Sequence, residues 1–128
     1  MLLFALGSMV KGNPAILLDE YYVSFDNGKT ERRLTDKEAS LYDKLYGTIS
    51  LDYVYAGYDP VRVPAPENCI MVLRYHNPLG TIRYGCDHKM YIENQFEIYI
   101  STPQDTKVVF IADKRYSDLA KEIYEILR

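Results

Sequence analysis

The stretch YYVSFDNGKTERRLTDKEASLYDKLYG, Tyr21 to Gly47, carries the clearest local signals in the chain and decides the class of fold. Tyr21, Val23 and Phe25 alternate with Tyr22, Ser24 and Asp26, which is the period of a strand buried on one face. Asn27-Gly28 is a pair that tolerates positive φ at both centres of a type I′ turn, so a tight hairpin with a second strand is expected. Thr35 then opens a helix. Its hydroxyl can accept from the N–H of Glu38 while the Glu38 carboxylate accepts from the N–H of Thr35, a complete capping box, with Leu34 placed as a hydrophobic staple. Over residues 35–46 Ala39, Tyr42, Leu45 and Tyr46 share one side, continued by Ile49, while Lys37, Asp43 and Lys44 take the other. The helix should therefore lie on a sheet, with Gly47 ending it in the left-handed conformation.

Working outward, Gly12-Asn13-Pro14 breaks the chain ahead of an extended segment from Ala15. Residues 1–14 stand apart. The apolar run Leu2 to Val10 is far shorter than the roughly 20 residues that span a bilayer. It resembles the end of a signal-peptide hydrophobic region, with Ala5-Leu6-Gly7 as a small-residue cleavage site but no basic leader and no lipid-accepting cysteine after it. A signal remnant, a cloning remnant and a first structural element are all compatible with it. Residues 15–128 are expected to form a single domain, because a chain of 128 residues buries roughly two-thirds of its unfolded surface, enough for one core.

Downstream of the helix, Leu51 to Tyr58 alternates Leu51, Tyr53 and Tyr55 with Asp52, Val54 and Ala56 and reads as a strand with an aromatic face. PVRVPAP, residues 60–66, has three prolines and suits only an extended, polyproline-like connection. Cys69 to Tyr75 and Ile82 to Cys86 read as two strands about a turn at 76–80. In the register that sets apolar residues opposite one another, Leu73 faces Ile82, Met71 faces Tyr84 and Cys69 faces Cys86. From Met90 to Ser101 the even positions are apolar, whereas Tyr91, Glu93, Glu97 and Tyr99 occupy the odd ones: one long strand, or two with a bend near Asn94. After a loop at 102–106, KVVFIA (107–112) reads as an interior strand. A final helix over about 114–127 carries the stripe Tyr116, Leu119, Ala120, Ile123 and Leu127, capped by Asp113 or Ser117. The expected fold is α+β, an antiparallel sheet of about five or six strands packed against two helices, 35–46 and 114–127.

The extended strand, the turn DNGK, the helix opening LTDKEASLYDKLY and the later strand MYIENQ together resemble small extracytoplasmic domains on secreted proteins and lipoproteins of Gram-positive bacteria. That resemblance covers about a third of the chain. It implies a secreted or cell-surface location and no defined activity.

Charge and motifs narrow the chemistry. Fifteen basic against eighteen acidic residues give a net charge of −3, so the chain has no overall field for gathering phosphates and nucleic acid is not an expected partner. Lys29, Arg32, Arg33 and Lys37 are interrupted by Glu31 and Asp36 and read as a solvated hairpin face. P-loop, dinucleotide, G-x-S-x-G and H-E-x-x-H motifs are absent, and no cofactor is expected. Cys69 and Cys86 admit a disulfide across opposed strands or a pair of inert core thiols. With His88 they would make only a Cys2His set, whose spacing matches no zinc signature and lacks a fourth ligand, so no metal is expected. A Cys–His nucleophile pair lacks a third orienting group; of the carboxylates Glu93, Glu97, Asp52 and Asp59, the first two alternate with Tyr91 and Tyr99 on a polar face, and no feature of the sequence sets any of the four in an apolar cleft.

The tyrosines are the better candidates. There are thirteen, with four Phe and no Trp, so aromatic area comes mostly with a hydroxyl, as suits half-exposed sheet faces. Tyr53, Tyr55, Tyr58, Tyr91 and Tyr99 are the candidate binding residues, and the alternative is that helices cover them. The expected function is a non-enzymatic interaction module contacting protein or glycan. A small intracellular inhibitor or immunity-type protein, and a cystatin-like fold with a pocket or a hydrolase activity, are the other classes compatible with the chain.

Overall fold

The computed structural model describes residues 19–52, 55–59, 63–78, 88–102 and 105–128. The opening hairpin forms, but not with a two-residue turn. Strand β1 (Glu20–Ser24) pairs antiparallel with β2 (Arg32–Arg33), Tyr22 opposite Arg33 and Val23 opposite Arg32, so the connection runs from Phe25 to Glu31. Asn27 and Gly28 do adopt positive φ, 60° and 89°. Two short polar side chains take the turn's backbone groups away from the strand ladder. Ser24 Oγ accepts from the Gly28 N–H (2.7 Å) and donates to Asp26 Oδ1 (2.7 Å), while Asp26 accepts from the Thr30 N–H (2.9 Å) and hydroxyl (2.6 Å).

The hydrogen bonds from Thr30, then that from Ser24, hold the Asp26 carboxyl at about 2, against an ordinary 3.8. A lowered folded-state pKa contributes stability above the unfolded value that is lost as pH falls through the folded one. The Thr30 amide resonance is therefore expected to keep its native position down to about pH 3 and to move with a midpoint near pH 2. A midpoint near the ordinary carboxyl value would contradict the Asp26–Thr30 geometry.

Helix α1 begins as its capping box dictates: the Thr35 N–H donates to Glu38 Oε1 (2.9 Å) and the Glu38 N–H to Thr35 Oγ1 (3.2 Å). Arg32 donates to the same carboxylate oxygen (2.8 Å) and also to the carbonyl of Leu127 (2.9 Å), tying β2 to the far end of the chain. The helix does not stop at Gly47. It runs Asp36–Asp52, so Leu51 and Asp52 belong to it, and β3 is only Tyr55–Asp59. Ile49, 1% exposed, explains the extension: Tyr42, Leu45 and Ile49 form one buried stripe that a stop at Gly47 would cut. A glycine inside a helix costs about 1 kcal/mol relative to alanine, and a Cβ at Gly47 would meet nothing within 4 Å. Gly47→Ala is accordingly expected to raise stability by about 0.5–1 kcal/mol in urea unfolding; a loss would show that residue 47 is not helical.

The remaining elements are β4 (Cys69–His76), β5 (His88–Glu93), β6 (Ile98–Thr102), β7 (Asp105–Ala112) and α2 (Ser117–Leu127). The described residues form one antiparallel sheet of seven strands in the order β2-β1-β4-β5-β6-β7-β3. The expected α+β class holds, the seventh strand being the two-residue β2. From β1 the chain passes through α1 to β3 at the opposite edge, then returns to lay β4 beside β1.

One register differs from expectation. β4 pairs with 88–93 rather than with 82–86: Tyr75 lies opposite His88, Leu73 opposite Met90 and Met71 opposite Ile92. Residues 82–86 lie outside the described residues. Both segments alternate apolar residues, so alternation alone could not choose; in the pairing adopted Met90 and Ile92 are fully buried. The bend near Asn94 is a hairpin turn between β5 and β6, closed by Phe96 N–H to Glu93 C=O (2.7 Å) and Glu93 N–H to Glu97 C=O (3.0 Å). Phe96 takes φ 63°, a position that glycine or asparagine normally fills, and its ring packs on Tyr124 with centroids 5.8 Å apart.

The core lies on one face of the sheet, although Ser24 and Val72 on the other face are also buried. Val23, Met71, Leu73, Tyr75, Met90, Ile92, Ile98 and Ile100 join Tyr42, Leu45 and Ile49 of α1 and Ala120, Ile123 and Leu127 of α2 in one core. Asp113 accepts from the Arg115 N–H (2.9 Å) and caps the turn Lys114–Tyr116 that leads into α2. Both helices therefore pack on one face, and the odd residues of β5 and β6 carry the other.

Candidate functional site

On that second face antiparallel pairing aligns residues in rungs. One rung reads Ser24, Val72, Tyr91, Tyr99, Ile111 across β1, β4, β5, β6 and β7. The next reads Tyr22, Arg74, Lys89, Ser101 across β1, β4, β5 and β6. Tyr91 and Tyr99 are thus direct cross-strand neighbours, both half-buried, with Val72 buried beside them and Ile111 half-buried on the far side.

The polar atoms around the rings are largely committed. The Tyr99 hydroxyl donates to Glu97 Oε1 (2.8 Å); burial first, and then Glu97, push its pKa up to about 12. The Tyr22 hydroxyl donates to Glu20 (2.9 Å), which raises its pKa above the ordinary tyrosine value. Arg74 makes two hydrogen bonds to Glu31 (2.8 and 2.9 Å), holding that carboxyl below the usual range, and its guanidinium stacks 4.4 Å from the Tyr22 ring centroid. Lys89 is exposed and, among the described residues, has no ion-pair partner.

Of the five tyrosines singled out in the sequence, the structure brings Tyr91 and Tyr99 together. Tyr55 and Tyr58 lie on β3 at the sheet edge, opposite Ala112 and Phe110, two strands from β6. Tyr53 lies outside the described residues, as does Cys86. Cys69 is a free, buried thiol opposite Glu93, not opposite Cys86. Its environment is inert: burial raises the thiol's pKa, and Sγ lies 3.6 Å from the Met71 carbonyl. His88 sits opposite Tyr75, six residues along β4 from Cys69 or ~20 Å, so the two cannot act as a nucleophile and base.

Alternation did not single out a second aromatic cluster, on the helix side. His88, 1% exposed, hydrogen-bonds through Nε2 to the Tyr42 hydroxyl at 2.7 Å and packs on Tyr46 and Tyr75 with centroids 4.3 and 5.3 Å away. Tyr21 packs on both Tyr42 and Tyr75. The Tyr21 hydroxyl donates to Asp43 (3.1 Å), and Asp19 accepts from Tyr75 (2.7 Å) and Asn77 (2.6 Å). Its members come from β1, α1, β4 and β5, so no local spacing could reveal it. The Tyr21, Tyr42 and Tyr75 hydroxyls each have a hydrogen-bond partner within the cluster, which suits a structural role better than a reacting centre.

At the end of the sheet that carries the β5–β6 turn, a cleft of about 390 Å³ is lined by Asn68, Glu93, Asn94, Gln95, Glu97, Lys114 and Ser117. Glu93 Oε1 accepts from the Gln95 and Glu97 N–H groups (2.7 and 3.4 Å), so that carboxylate shapes the turn. Among the described residues no three His, Cys, Asp or Glu side chains stand close enough to hold a metal, and no helix is long and apolar enough to cross a membrane. Set against family models, curated proteins and solved structures, the chain matches none of them.

Proposed function

We propose that the protein is a non-enzymatic interaction module and that the sheet face opposite α1 and α2, centred on Tyr91 and Tyr99, contacts another protein. The observation that carries this reading is the direct Tyr91–Tyr99 pairing on the face opposite both helices, flanked by Val72, Ile111 and the Tyr22–Arg74 stack. Tyrosine and arginine are the residue types enriched where protein surfaces meet, because they offer large, stiff area with a polar end. A protein fits better than a glycan: the Tyr99 and Tyr22 hydroxyls already bond carboxylates of their own chain, which leaves ring faces more than hydroxyls for a partner.

The test is photo-crosslinking from benzoylphenylalanine placed at Ser101, beside the rung, and at Glu122 on α2 as a control. Adducts from position 101 that disappear in Tyr91→Ala/Tyr99→Ala support the reading. Equal labelling from both positions, or adducts indifferent to the tyrosines, removes it.

A further inference from the structure

Resting on the reading of this face as a protein-contact surface, we infer that its partner is a second copy of the chain, held face to face about a two-fold axis lying across the strands at the Tyr91–Tyr99 rung. The charge pattern of the face carries the inference. Along β5 the residues of this face run Lys89, Tyr91, Glu93, a cation, an aromatic ring and an anion. Along β6 Ser101 lies level with Lys89, Tyr99 with Tyr91, and Glu97 with Glu93. Over β5 and β6 the face thus carries a cation at one end, two carboxylates at the other and aromatic rings between, with Glu31 held beside the cationic end by Arg74.

An axis across the strands reverses strand direction in the second copy. Lys89 then lies over the partner's Glu93, Tyr91 over the partner's Tyr91 and Tyr99 over the partner's Tyr99, so the β5–β6 strip is its own complement. The other closed arrangement, with the axis along the strands between β5 and β6, sets Glu93 over the partner's Glu97 and is opposed by like charge. Lys89 is suited to the first arrangement because it is exposed and, among the described residues, forms no ion pair within 4 Å; the carboxylate whose field it shares, Glu31, is bonded to Arg74. Stacked sheets lie about 10 Å apart, a gap that a lysine and a glutamate together span. Six strands about 4.8 Å apart and about five residues long give a face of roughly 24 by 16 Å. That is about 400 Å² in projection, below the ~800 Å² per partner of a standard interface, so the dimer should be weak and dissociate on dilution.

Sedimentation equilibrium on the full chain at low salt, up to roughly 1 mM, tests this. The expected result is a mass that rises with concentration toward twice the monomer. Lys89→Glu and Glu93→Lys should each weaken association about tenfold, and the double exchange should restore most of it, since opposite charges face each other again. Glu93 also organises the β5–β6 turn, so Lys89→Glu and a carbodiimide crosslink stand as independent readouts. Lys89 and Glu93 of one chain are ~13 Å apart, too far for a bond without a spacer. A Lys89–Glu93 amide joining light and heavy chains in an isotopically mixed sample therefore reports the dimer directly. A monomer at every concentration, or a dimer in which Lys89→Glu associates as tightly as the parent, overturns the inference. If the chain is monomeric yet Tyr91→Ala/Tyr99→Ala still abolishes crosslinking to another protein, only the dimer falls. If both effects are absent, the interaction face falls with it.

Discussion

Replacing Tyr42 by phenylalanine is expected to destabilise the fold by about 1–3 kcal/mol, although every ring contact can be retained. The Tyr42 side chain is 0% exposed and its hydroxyl meets His88 Nε2 at 2.7 Å. Removing the hydroxyl leaves a polar ring nitrogen, in a residue 1% exposed, without that partner, and the cost is the desolvation of that nitrogen more than the bond itself. Tyr42→Ala also removes the ring that sits 5.0 Å from Tyr21 and 5.7 Å from His88, and the total loss should reach about 3–5 kcal/mol. Urea unfolding measures both, with the midpoint falling at unchanged slope. A Tyr42→Phe protein within about 0.5 kcal/mol of the parent would show that the hydroxyl is not engaged in a buried bond.

Ile92→Ala and Tyr91→Ala, at adjacent positions, should differ by about 2 kcal/mol, with the smaller side chain the costlier loss. Ile92 is 0% exposed, opposite Met71 on one side and Ile98 on the other, beneath the helices. Truncating it opens a cavity in a packed core, at about 2–5 kcal/mol. Tyr91 is half-buried on the other face, where truncation loses a cross-strand pair with Tyr99 and part of its burial, about 0.5–1.5 kcal/mol. Because side chains alternate along a strand, a slip of one residue would exchange the two values. Equal losses would contradict the division of the sheet into a face packed under α1 and α2 and the face opposite them.

The parts of the fold legible in the chain were those in which neighbouring residues complete an interaction among themselves. Thr35 and Glu38 close a capping box whatever lies around them, the stripes of α1 and α2 follow the helical period, and Asn27-Gly28 takes positive φ. The alternation over 90–101 likewise put Tyr91 and Tyr99 on the same side of the sheet as each other and away from Ile92, Ile98 and Ile100. What was missed had two adequate local answers. Gly47 suits a helix end as well as a helix interior; burial of Ile49 decided for the interior. Ile82 to Cys86 and His88 to Glu93 both alternate, and the pairing adopted moved Cys69 from Cys86 to Glu93. The Tyr42–His88 bond joins residues 46 apart and has no local signature at all.

By itself, then, the sequence determined the α+β class, the helix stripes, the Thr35–Glu38 cap, and which face of β1, β4, β5 and β6 is apolar, because these depend on periodicity and on bonds spanning a few residues. Only the tertiary structure decided where α1 stops, which strand β4 pairs with, and that Tyr91 and Tyr99 share a rung between a basic and an acidic end. Those outcomes turn on which of several equally good local arrangements buries the most apolar surface once distant segments meet, a comparison that no single stretch of chain contains.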